Sequence, residues 1–197
     1  MPRGHAGFRE PPPQFVSAAR LAPDHWLTMV DRHWDDTDDS VAPPHWAALG
    51  RWRSDEHGDI VEWEQNPRYR PSPDAYGWGP SAGIMDEAAR LVATGYGPET
   101  LLAFSLLEAD VAVCVDQRGD PDVIEMTDGT KAVPVFTVPS DQEAEVPPHK
   151  VMGVLDLLDR LPEERELVFI SSSAPVYQLV RTSSLRADVD AVKRNSD

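Results

Sequence analysis

Two short runs, Leu49-Gly50-Arg51-Trp52-Arg53 and Ile60-Val61-Glu62-Trp63, each mix apolar and aromatic residues with charged ones, and Ser54 to Asp59 lies between them. Two aromatic-bearing runs around a segment of hairpin-turn composition predict a β-hairpin. The next stretch, Asn66 to Trp78, carries prolines at 67, 71 and 73. That excludes a helix or a central strand and predicts an extended or polyproline-like arm over the surface, packed if its rings find a pocket.

Beyond the arm the period changes. Asp86 is placed to cap a helix over Glu87 to Thr94 that Gly95 ends, and Gly97-Pro98 opens a second helix, Glu99 to about Glu108, with Leu102 and Leu106 one turn apart. The apolar run Asp110 to Val115 predicts a buried strand. Turns at Gln117 to Asp120 and Asp128 to Thr130 lead into strands Val123 to Met126 and Ala132 to Thr137, three consecutive antiparallel strands. Pro134 marks the third as an edge or a bulge. Val151, Val154, Leu155, Leu158 and Leu161 form a helical stripe that Pro162 stops, and Leu167 to Ile170 is another buried strand. For Ala174 to Val180, periodicity leaves helix and strand both open.

These elements define an α+β fold: a mixed, mostly antiparallel sheet with helices on one face, preceded by a Trp/Pro-rich hairpin and extended arm. The expected organisation is a disordered tail over 1–14, the Trp/Pro-rich preface over 15–83, the α+β domain over 84–185 and a disordered tail over 186–197. Both tails are polar or proline-rich and offer little apolar surface to offset ordering entropy.

Composition narrows the partners. The chain has 197 residues, with 18 Lys and Arg against 34 Asp and Glu, a formal net charge of -16. Such a field opposes nucleic acid and anionic membranes and favours basic or neutral partners. The single cysteine, Cys114, cannot form an internal disulfide and lies in an apolar run, which suits a reducing compartment. No signal-peptide-like stretch and no apolar run of membrane-spanning length is present, so the expected location is cytoplasmic.

The chemistry-bearing residues are sparse. His33-Trp34-Asp35-Asp36-Thr37-Asp38-Asp39 could offer carboxylates to a hard cation, but it lacks the glycine and terminal glutamate of a calcium loop and reads as a solvated acidic loop. The six histidines stand apart from one another, without the helical spacing of a metal site. Ser171-Ser172-Ser173 follows a buried strand without a nucleophile-elbow pattern; a hydrolase built on it requires a histidine within hydrogen-bond reach. No phosphate-binding loop and no dinucleotide-binding glycine pattern occurs, so neither a metal, a cofactor nor a catalytic residue is expected.

The remaining signal is aromatic. All six tryptophans fall in the first half, and Arg51, Arg53, Arg68 and Arg70 are interleaved with Trp52, Trp63 and Tyr69. Burying one tryptophan removes roughly 150–250 Å² from water, about 4–6 kcal/mol gross, which is reason enough to retain Trp46, Trp52 and Trp63 as core. Tyr69, Arg70, Tyr76 and Trp78, on a proline-bound segment unable to pair its own backbone, are the candidate partner-binding residues.

Several of these motifs together resemble a known family. Pro43-Pro44-His45-Trp46-Ala47, Gly50 to Asp55, Asn66 to Trp78 and Thr94 to Pro98 are similar to the Trp-rich preface of actinobacterial type VII secretion system-associated proteins. Leu102 to Leu185, with Asp128-Gly129-Thr130 and Val133-Pro134-Val135-Phe136-Thr137, resembles the SseB N-terminal domain. Ser171 to Pro175 departs from the resemblance, since those proteins often carry Asn-Pro at that turn. The resemblance implies an accessory protein without catalytic residues or cofactor. The expected function is therefore a non-enzymatic adaptor associated with type VII secretion, contacting a protein partner that is a secretion component or substrate. The alternative is a small-molecule or peptide-binding regulatory module with a groove between arm and sheet.

Overall fold

The computed structural model describes residues 1–34, 43–107, 109–139 and 146–196, with backbone alone for 190–196. It divides into two compact units, Met1–Tyr76 and Gly77–Asp197. The acidic run 35–39, expected as part of a solvated loop, lies outside the described residues.

In the first unit, helix α1 (Pro13–Leu21) precedes a three-stranded antiparallel sheet of order β1 (Trp26–Val30), β2 (Ala48–Ser54), β3 (Ile60–Gln65). The expected hairpin is β2–β3, with Trp52 opposite Trp63. Its turn is held by Asp55, whose Oδ1 accepts the amides of His57 (2.9 Å) and Asp59 (2.8 Å). Trp52 and Trp63 tilt together at 4.6 Å between centroids, and Phe15 of α1 lies 4.7 Å from Trp52. Gly50 is required beneath them, because a Cβ there would meet the Trp63 ring at 2.5 Å.

The segment 1–14, expected to be disordered, is instead fastened to this sheet. Trp63 donates its amide to the Met1 carbonyl, Arg3 donates to Val61, and Trp52 Nε1 donates to the Arg9 carbonyl at 2.8 Å. Phe8 and Phe15 pack on the tryptophan core. Met1 and Phe8 supply the apolar surface that the segment's polar and proline content obscures. The proline run itself starts α1, where a missing N–H is no loss in the first turn.

The second unit contains a six-stranded sheet whose path is β7 (His149–Gly153), β4 (Asp110–Cys114), β6 (Lys131–Thr137), β8 (Glu166–Ile170), β9 (Tyr177–Val180), with β5 (Ile124–Glu125) paired to β6. Only β6–β8 is parallel. Helices α2 (Ile84–Thr94), α3 (Thr100–Leu106), α4 (Val154–Arg160) and α5 (Thr182–Ser196) pack on one face. There Val111, Val113, Val133, Val135, Leu167 and Phe169 meet leucines from the helices. This is the expected α+β class. Of the undecided 174–180 segment, Tyr177–Val180 is a strand, β9, against β8.

Four details differ from expectation. Pro134 lies in the middle of the sheet, because the β4 ladder ends at Val113–Val135 and the β5 ladder begins at Ile124–Ala132. The Cys114 carbonyl, which a regular ladder would offer to residue 134, accepts the Asp122 amide at 2.9 Å, so the missing N–H costs no bond. Val151 belongs to strand β7 rather than to the helix, which starts only at Val154, after Gly153. Gly83, at φ 136°, occupies the N-cap of α2 in place of Asp86. Finally, where a disordered tail is expected over 186–197, residues up to Ser196 belong to α5, anchored by buried Leu185 and by Val189 one turn on.

Candidate functional site

The four expected partner-binding residues fall in different units: Tyr69, Arg70 and Tyr76 in the first, Trp78 in the second. The Tyr69 hydroxyl donates to Asp31 Oδ2, and the same buried carboxylate accepts the amides of His33 (3.0 Å) and Ser72 (3.4 Å). Burial works against the charge on Asp31, but the bonds from Tyr69, His33 and Ser72 outweigh it and hold its pKa below the ordinary value. Asn66 completes the clasp: its Nδ2 donates to the carbonyls of His45 (2.6 Å) and Ala48 (2.7 Å), and its Oδ1 accepts the Arg68 amide. The arm is thus a series of turns pinned by Asn66, Tyr69 and Ser72 rather than a polyproline-like ribbon. Prolines stop helix and strand there; the buried side-chain bonds decide the path.

Arg70 is exposed, its amide bound to the Trp46 carbonyl at 2.9 Å and its guanidinium 6.0 Å from the Trp46 ring. Tyr76 is 55 % exposed. In the second unit the Arg90 guanidinium lies 5.7 Å from the Trp78 ring. Trp52 and Trp63 are core, and Trp46 is half-buried with its ring edge-on to Trp34 at 5.8 Å.

The serine cluster closes on a buried acid. Asp86, fully buried, accepts Ser171 Oγ at 2.6 Å, the Ser173 hydroxyl, and the amides of Ser172 and Ala82, both at 2.9 Å. Burial alone would raise its pKa; the two hydroxyls and two amides overcome it and leave the pKa lowered. Arg90, 3 % exposed, donates to the Gly79 carbonyl (2.8 Å) and to Ser173 Oγ (3.3 Å). Residues 77–83, assigned by sequence to the preface, are therefore tied into the second unit. This cluster joins the start of α2 to the β8–β9 turn. As a nucleophile with a base it is ill matched, since a carboxylate of depressed pKa takes a hydroxyl proton poorly. The unit's one histidine, His149, stands against Phe136 at 5.4 Å with Nδ1 bound at the Pro147 carbonyl (2.9 Å), so it does not supply the base that a serine hydrolase needs.

A third feature was not legible beforehand. A groove of about 690 Å³ opens on the second unit, walled by Ile84 and Met85 of α2, Phe104 and Leu107 at α3, Leu155 of α4 and Val189 of α5. Ile84 is 82 % exposed, Phe104 60 % and Leu155 41 %. Each lies off the buried stripe of its helix: Phe104 between buried Leu102 and Leu106, Leu155 between buried Val154 and Leu157. Polar residues normally fill such positions, so these three form an exposed apolar patch of the kind found at contact sites. Sequence periodicity counted Leu155 as core; the misplaced helix start at Val151 rotated the stripe onto it.

Among the described residues no group of three or more His, Cys, Asp or Glu is placed to hold a metal ion, and no helix is long and apolar enough to cross a membrane. No family model, no curated protein and no solved structure matches the chain.

Proposed function

We propose that this chain is a non-enzymatic accessory or adaptor protein, cytoplasmic and associated with type VII secretion, that acts through protein–protein contacts. The observation that carries the contact role is the apolar groove of the second unit, whose walls Ile84, Phe104 and Leu155 are held in solvent by well-packed helices. The association with type VII secretion rests on the motif resemblance alone. A structural use for the serines supports the non-enzymatic part: Ser171 and Ser173 spend their hydroxyls on an ionised Asp86.

The test is affinity purification from a type VII-secreting actinobacterial host, comparing the intact chain with an Ile84→Asp, Phe104→Asp variant verified as folded by circular dichroism. Recovery of a secretion component or substrate by the intact chain, lost with the variant, supports the proposal; recovery of neither contradicts it. A small-molecule or peptide-binding regulatory module is the second reading, favoured by the same groove, where Thr137 Oγ1 is buried without a hydrogen-bond partner among the described residues. Binding of a small apolar ligand in the groove, with no protein partner recovered, would favour it.

A further inference from the structure

We infer that the groove of the second unit receives a cationic amphipathic helix of a protein partner, its apolar face against Ile84, Phe104 and Leu155 and its basic residues against the acidic flank. The inference rests on the adaptor reading and names the partner's chemistry. Three observations lead to it.

The first is shape. Ile84 and Phe104 both line the groove and stand mostly in solvent. A small apolar molecule lying there would keep much of its surface wet, whereas a helix laid along the trough covers both walls with residues at i, i+3, i+4 and i+7. The second is composition. Apart from Ser105 and Thr137, the lining side chains are apolar, so the occupant's inserted face has to be apolar too.

The third is charge. Within two residues of any lining position the chain has no lysine or arginine, while Asp86, Glu87, Glu108, Asp110, Asp156, Asp188 and Asp190 fall inside that distance. The nearest basic residues in sequence, Arg186 and Lys193, stand one turn either side of Val189, and the Arg186 guanidinium is bound to the carbonyls of Leu158 and Leu161. Asp110 and Asp156 follow directly on the lining residues Ala109 and Leu155. A Cβ placed at Gly153 would lie 3.7 Å from Asp110 Oδ1 and 3.8 Å from Asp156 Oδ2, so the two carboxylates converge on one point of backbone. Neither makes an ion pair with a described residue. With a net charge of -16 over the chain, this flank attracts a basic helix and repels an anionic lipid surface or an acidic peptide.

The probes are two synthetic peptides of about 18 residues, helical and identical at their leucines, one with lysines and one with glutamates at the polar positions. Binding to the full chain is measured by fluorescence anisotropy and calorimetry. The lysine peptide is expected to bind about tenfold or more tighter than the glutamate peptide. Ile84→Glu removes most of that binding, Phe104→Glu serves if the first variant misfolds, and Asp110→Asn with Asp156→Asn lowers the lysine peptide's affinity about three- to tenfold while leaving the glutamate peptide no weaker.

Equal binding of the two peptides, both weakened by Ile84→Glu, overturns the cationic partner and leaves the groove as a contact site. Lysine-peptide binding indifferent to Ile84→Glu and Phe104→Glu overturns the inference, because the acidic surface at large is then the attractant. Self-association that Ile84→Glu abolishes, with neither peptide bound, overturns it in favour of a second copy. The adaptor reading fails separately, by the host purification yielding no secretion partner.

Discussion

The two units solve the same packing problem with opposite materials, and the contrast locates their surfaces. The first buries two large rings, Trp52 and Trp63, on a three-stranded sheet with half-buried Phe15 packed against them, and fastens its aromatic arm with Asn66 and Tyr69. The second buries many aliphatic side chains beneath four helices and has apolar residues to spare, which line a groove. Aromatic and arginine content marks interfaces on average. Here the aromatic-rich half buries Trp52 and Trp63 as its core while Trp26 and Tyr76 stay 36 % and 55 % exposed, and the ordinary-looking half lines a groove with apolar residues. Each unit also fastens a loop with a buried ionised aspartate: Asp31 gathers Tyr69, Ser72 and His33, and Asp86 gathers Ser171, Ser173, Ala82 and Ser172.

The contrast can be broken most forcefully at the cores. Trp52→Ala should cost about 3–5 kcal/mol in urea unfolding, because it empties the centre of a small ring cluster and strands the Arg9 carbonyl. A cost below about 1 kcal/mol would mean that the aromatic core is not what holds the first unit. Asp86→Ala comes next, at about 3 kcal/mol, since two hydroxyls and two amides lose their acceptor.

The same group sets a pH dependence. The folded pKa of Asp86 lies below its unfolded value of 3.8, so its stabilisation is present above 3.8 and is lost as pH falls through the folded pKa. Acid unfolding followed by circular dichroism should therefore show a stability loss below 3.8 that Asp86→Asn diminishes. An unchanged acid limb would contradict an ionised clasp.

Smaller effects sharpen the comparison at the surface. Tyr69→Phe should cost about 1.5 kcal/mol by denaturant titration, as the Asp31 carboxylate loses its hydroxyl donor while the ring stays packed. An exposed partner-binding tyrosine would lose almost nothing. Ile84→Glu, at a position 82 % exposed, should change stability by no more than about 0.5 kcal/mol. A larger loss would make Ile84 a core residue and remove the groove's wall.

What the sequence disclosed follows the range of the interactions concerned. The β2–β3 hairpin and the Gly95 helix end depend on neighbours a few residues away, and strands β4 and β8, though paired at long range, are nearly continuous apolar runs, so their patterns are readable. Strand β1 was not, because it exists by pairing with β2 more than twenty positions later, Trp26 with Arg53. Pro134 misled for a similar reason: a proline is tolerated centrally only because Asp122, distant in pattern, takes the bond at Cys114. The stretch Asn66 to Trp78 stands out by its motif, but the physical use of its first part does not, since Asp31 lies 38 positions from Tyr69. The groove was hidden in the complement of the core pattern. Phe104 and Leu155 look like ordinary helix hydrophobes until the helix phases are fixed.

The central claim is that contact with a partner runs through the groove of the second unit rather than through the aromatic arm. Its most direct test quantifies partner recovery in parallel purifications with the intact chain, Ile84→Asp with Phe104→Asp, and Tyr69→Ala with Trp78→Ala, each confirmed as folded. The account predicts that the groove variant loses its partner while the arm variant, if folded, retains it. Loss with the arm variant and full recovery with the groove variant would contradict it.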